Sequence, residues 1–86
     1  MTKIEVIENE IILLKIKYNN DKIPLKINII EIDEDSFNDL KIKDIDGIPV
    51  VKSIETLQDK ALIRNSCKIK CNGVTRYFNL LGIKII

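Results

Sequence analysis

Residues 11–32 read IILLKIKYNNDKIPLKINIIEI, an alternation of apolar and polar side chains that changes parity across Asn19-Asn20-Asp21-Lys22. Alternate residues of an extended strand face the same side. Before the turn the apolar residues in step are Ile12, Leu14, Ile16 and Tyr18, and after it Ile23, Leu25, Ile27 and Ile29. A turn that sets Tyr18 opposite Ile23 then pairs Ile16 with Leu25, Leu14 with Ile27, and Ile12 with Ile29. One face becomes wholly apolar, and a slip of one residue would destroy it. A four-residue loop leaves Pro24 at a non-bonded position, where it costs no ladder hydrogen bond.

The same parity extends backwards. Residues 2–7 carry Ile4 and Val6 in step, and Glu8-Asn9-Glu10 suits a three-residue turn. Three strands then share the rows Ile4–Leu14–Ile27 and Val6–Ile12–Ile29. The opposite face follows: Lys3, Lys15 and Lys26 fall in one row, with Lys17 two residues along. Ile7, Ile11 and Ile30 form an apolar end on that outer side, to be covered by the later chain or by a partner.

Beyond this meander, Asp33-Glu34-Asp35 closes the third strand, and Asp35 or Ser36 is placed to cap a short helical turn reaching Leu40. Residues 41–45 and 48–51 flank Asp46-Gly47, a hairpin signal that sets Pro49 against Asp44. In residues 53–62, Ile54, Leu57, Ala61 and Leu62 have the spacing of a helix face, after a serine suited to capping. Residues 62–71 and 74–81 form a last hairpin around Asn72-Gly73. It pairs Cys71 with Val74, Ile69 with Arg76 and Cys67 with Phe78, with Lys68 opposite Tyr77 and Lys70 opposite Thr75 on the other face. The tail after Gly82 is apolar, with Ile83, Ile85 and Ile86.

A chain of 86 residues makes a single small domain over 1–86 with a modest core. The expected class is mostly β (α+β): a three-stranded antiparallel meander, one or two short helices and a C-terminal β-hairpin. In element order this is similar to a small OB-like open barrel, an analogy that rests on no motif. A sheet with a helix packed on one face is the rival architecture. No apolar run approaches the roughly 18 residues of a membrane span, and no signal peptide opens the chain, so a cytoplasmic location is expected. Abundant Ile, Lys and Asn give the chain the composition of an AT-rich genome, viral or thermophile-like.

Chemistry-bearing patterns are sparse. The chain has no histidine, so a cysteine or serine nucleophile lacks its usual base and a zinc set lacks its nitrogen ligands. Cys67 and Cys71 stand about 13 Å apart on a straight strand, too far for a disulfide, and read as core residues. Asp33, Glu34, Asp35 and Asp39 match no calcium-loop spacing. No glycine-rich phosphate loop occurs, because each of the three glycines stands alone. These absences argue against an enzyme and against a metal or other cofactor.

Two functional readings remain. A net charge of +1 gives no global attraction to nucleic acid, so that role needs local segregation of charge. The lysine row Lys3, Lys15, Lys26 with Lys17, joined to Lys68, Lys70, Tyr77 and Arg76, offers phosphate-neutralising ammonium groups beside a stacking ring. Nucleic-acid binding through this lysine-rich sheet face is therefore the first expectation. The alternative is a protein-interaction module, a regulator, inhibitor or subunit of the kind mobile elements carry. It would use the tail Ile83, Ile85 and Ile86 or the patch Ile7, Ile11 and Ile30, with a protein partner or a second copy as the occupant.

Overall fold

The computed structural model describes residues 2–81. In chain order the elements are α1 (Lys3–Asn20), β1 (Ile27–Ile32), α2 (Glu34–Leu40), β2 (Asp44–Ile45), β3 (Ile48–Lys52), β4 (Ser66–Cys71) and β5 (Val74–Asn79). The five strands form one open sheet in the order β2-β3-β1-β4-β5, in which β1 and β3 run parallel and every other pair is antiparallel. The protein is thus a small α+β domain with a mixed sheet and two helices. Neither a three-stranded meander nor an OB-like barrel is formed.

The difference begins at the first turn of the chain. The Thr2 hydroxyl accepts from the Glu5 amide at 3.2 Å, and the Glu5 carboxylate accepts from the Thr2 amide at 3.1 Å. This reciprocal capping box satisfies two of the amides that a helix start leaves without partners. Ile4, Ile7, Ile11, Leu14 and Tyr18 then follow at spacings of three and four, which is the stripe of an amphipathic helix. Burial of that stripe outweighs the alternation that favours strands. The two strands expected over residues 2–7 and 11–18 are therefore one helix that begins at Lys3, and the row Ile4–Leu14–Ile27 does not exist.

The core lies between α1 and one face of the sheet. Ile7, Ile11 and Leu14 of α1 meet Ile30 and Ile32 of β1, Val50 of β3, and Cys67, Ile69 and Cys71 of β4. Both Ile27 and Ile30 reach this core although their parities differ. A β-bulge between Ile27 and Ile29 removes one residue from the pairing with β4 and reverses the alternation. Phe37 and Leu40 of α2 pack against the same cluster, so both helices cover one face. The other face carries no helix among the described residues.

Local signals did hold in the hairpins. The β2–β3 turn pairs Ile45 with Ile48 and Asp44 with Pro49. The β4–β5 hairpin pairs Cys71 with Val74, Ile69 with Arg76 and Cys67 with Phe78. In both, the two turn residues have positive φ: Asp46 52° and Gly47 77°, Asn72 49° and Gly73 78°. That conformation matches the right-handed twist of the flanking strands. Residues 53–62, in contrast, are irregular and not helical. The Ser53 amide donates to the Ile32 carbonyl at 2.7 Å, which keeps the residue in the sheet, and its hydroxyl accepts from the Leu62 amide rather than from a residue two or three ahead. The expected cap is therefore already engaged. The short helix α2 is present, but Asp33 caps it in place of Asp35 or Ser36.

Candidate interaction site

The lysine row predicted from strand parity dissolves once residues 3–20 are helical. Lys3 donates to the Ser36 hydroxyl at 3.1 Å, beside the start of α2. Lys15 and Lys17 are exposed on α1, and two residues on a helix project about 200° apart. Lys26 precedes β1. The four ammonium groups therefore form no sheet row. Ile7, Ile11 and Ile30 do come together, as the strand reading placed them, but they are wholly buried in the core and offer no contact to a partner. The tail residues Ile83, Ile85 and Ile86 lie outside the described residues.

Part of the second basic-aromatic group survives on the helix-free face. Pairing across the strands sets Val51, Glu31, Lys68 and Tyr77 in one row, with Ile29, Lys70 and Thr75 in the next. Arg76 is on the opposite face, where it meets Glu10 of α1 at 3.4 Å. Lys68 is not a free cation. Its Nζ lies 3.1 Å from the Glu31 carboxylate and 6.0 Å from the centre of the Tyr77 ring. The hydrogen bond to Glu31, and then the negative charge of Glu31 itself, raise the Lys68 pKa against the opposing effect of burial. Lys70 remains the one exposed lysine of that face among the described strand residues.

Beside this row the surface is apolar. A cavity of about 380 Å³ opens between the 61–63 segment and the β4–β5 hairpin, lined by Ala61, Leu62, Ile63, Tyr77, Phe78 and the polar edge of Ser66 and Asn79. Its volume is in the range of sites that accept one or a few side chains. Ile63 is 77 % exposed and Tyr77 67 %, and further along the same loop Ile54 and Leu57 also face solvent. The loop is shaped by Thr56, whose hydroxyl accepts from the Asp59 amide at 2.9 Å while its own amide donates to the Asp59 carbonyl at 2.8 Å.

The outer edge of β5 completes the site. Among the described residues no strand pairs with it. In a two-residue hairpin the closing pair exchanges both hydrogen bonds, so Val74, Arg76 and Phe78 are bonded inward to β4. Thr75 and Tyr77 then turn their backbone N–H and C=O groups outward. This six-residue edge carries no proline or lysine, and Arg76 is its one inward-pointing charge, held by Glu10.

A buried polar cluster at the far ends of β1 and β3 was not foreseen. Asp33 and Ser36 are buried, and the Asp33 Oδ2 accepts from the Ser36 amide at 3.2 Å. The Asp33 Oδ1 is buried with no hydrogen bond of good geometry. Burial pushes the Asp33 pKa up, but bonding from Ser36 and the nearby backbone amides of Asn65 and Ser66 outweighs it, and the net shift is downward. Ser36 is fully enclosed, and its hydrogen bond from half-buried Lys3 ties α2 to α1. Cys67 and Cys71 are free and buried. Burial, followed by the fields of Glu10 and Asp33, pushes the Cys67 thiol far above its usual range and leaves it unreactive.

No three His, Cys, Asp or Glu side chains gather to hold a metal ion among the described residues, and no described helix is long and apolar enough to cross a membrane. Compared with known protein families, with curated proteins and with solved structures, the chain matches none.

Proposed function

We propose that the protein is a non-enzymatic protein-interaction module that takes an extended segment of a partner chain along the outer edge of β5. The observation that carries this reading is the coincidence of a six-residue edge that no described strand pairs with and an apolar cavity beside it. An incoming strand finds outward N–H and C=O groups at Thr75 and Tyr77, and alternate side chains of that strand meet the cavity rimmed by Ile63 and Tyr77. Backbone pairing supplies affinity in this mode of recognition, and the cavity selects an apolar anchor.

Nucleic-acid binding, the expectation raised by the lysines, has less support. Of the eight residues assembled for it, Lys68, Lys70 and Tyr77 share a face, and Glu31 already neutralises Lys68.

The test is selection from a library of random extended peptides on the whole protein and on an Ile63→Glu/Tyr77→Glu variant. Peptides with an apolar anchor, recovered on the parent and lost on the variant, with amide shifts centred on Thr75 and Tyr77, are the expected result. No peptide selection, together with a mobility shift of oligo-dT at low salt that Lys68→Ala/Lys70→Ala abolishes, would transfer the reading to nucleic acid.

A further inference from the structure

The outer face of α1 carries a second apolar patch that the described residues leave exposed. Ile12, Leu13 and Ile16 are 51 %, 58 % and 53 % exposed, respectively. They sit at spacings of three and four, so they form one patch on the side of the helix opposite Ile7, Ile11 and Leu14. Single exposed apolar residues are ordinary, but three contiguous ones on an 18-residue helix are not. We propose that this patch is covered by the same helix of a second copy of the chain, packed antiparallel about a two-fold axis.

Charge selects that occupant and that direction. Glu8 and Lys15 are seven residues apart, so they lie on one flank of the patch, about 20° from each other around the axis. Glu10 and Lys17 bear the same relation on the other flank. A two-fold axis perpendicular to the helices brings each flank against its own copy. With the crossing centred between Ile12 and Leu13, each of these two meets its own counterpart in the second copy, Glu8 meets the second copy's Lys15, and Glu10 meets the second copy's Lys17. Every charged pair is then of opposite sign, and each occurs twice. A parallel arrangement would set flank against opposite flank, with Glu8 beside Glu10 and Lys15 beside Lys17. The acidic first half and basic second half of the helix are thus complementary to themselves only when reversed.

Glu10 also holds Arg76 within its own chain, so the Glu8–Lys15 pair is the one that can be exchanged without disturbing the fold. This surface is separate from the β5 edge, and the two proposals fail independently.

Sedimentation equilibrium of the whole protein between about 5 µM and about 500 µM is expected to show a monomer–dimer equilibrium. Leu13→Lys raises the dissociation constant by about tenfold or more, with the far-ultraviolet dichroism unchanged because the residue is exposed. Glu8→Lys and Lys15→Glu each weaken self-association through like-charge contacts, whereas mixing the two variants yields a heterodimer tighter than either alone. The double variant Glu8→Lys/Lys15→Glu regains the parent affinity. A monomer throughout the concentration range overturns the proposal. A dimer indifferent to Leu13→Lys overturns the surface, and failure of the mixed pair to associate overturns the antiparallel register.

Discussion

Asp33 shows how one residue can serve three elements. It follows the last residue of β1, caps α2 through the Ser36 amide, and receives the approach of the loop into β4, where its own amide donates to the Ser66 carbonyl at 3.2 Å. Asp33→Ala removes the cap and leaves the surrounding amides without an acceptor, at a cost of about 1–2 kcal/mol in urea unfolding, while Asp33→Asn keeps much of the cap. The pH dependence has a definite sign. Because its pKa is lowered on folding, Asp33 binds protons more readily in the unfolded chain. Its stabilisation is fully present above the unfolded value of about 3.9 and is lost as pH falls through the folded value. Unfolding midpoints measured downward from about pH 6 should therefore drop below about pH 4 in the parent, and drop less in Asp33→Asn. The sequence points to Asp35 or Ser36 as the cap, while Asp33, two or three positions earlier, holds that place. Spacing alone does not choose among them, since the choice depends on where β1 ends.

Among the elements, the hairpins were legible because their information is local. Asp46-Gly47 and Asn72-Gly73 specify positive φ at both turn positions, and once the turn is set the register follows for every pair up each hairpin. Gly73→Ala, at φ 78° with open space around it, should cost about 1 kcal/mol through backbone strain alone. The first helix was misread for a related reason. Ile11, Ile12, Leu13 and Leu14 are apolar without interruption, so strand and helix templates both fit. The exposed patch of Ile12, Leu13 and Ile16 blurs the helical stripe, and the Thr2-x-x-Glu5 capping box was the discriminating signal. Hydrogen exchange gives a direct check on the free edge. The amides of Arg76 and Phe78, bonded to β4, should exchange slowly, while those of Thr75 and Tyr77 exchange at rates near those of exposed chain. Slow exchange at Thr75 and Tyr77 in a monomer would mean that the edge is already occupied.

For the whole molecule, alternation could say which residues of a strand share a side, but not which strands become neighbours. The candidate site inherited that limit. Lys68, Lys70 and Tyr77 were correctly set on one face because one hairpin holds them, whereas Lys3, Lys15, Lys17 and Lys26 had been joined to them across contacts the chain does not make. The apolar cavity beside β5 draws residues 61–63 against the hairpin, a contact with no sequence signature. Placement of β1 at the centre has a further effect on how the chain can mature. The first helix emerges first, yet much of the surface that shields Ile7 and Ile11 comes from Cys67, Ile69 and Cys71. During synthesis that greasy stripe must wait, unsheltered, until residues 66–71 have left the ribosome. A nascent chain halted before Ser66 should bind a hydrophobic dye and attract holding chaperones, and one released after Asn79 should do neither.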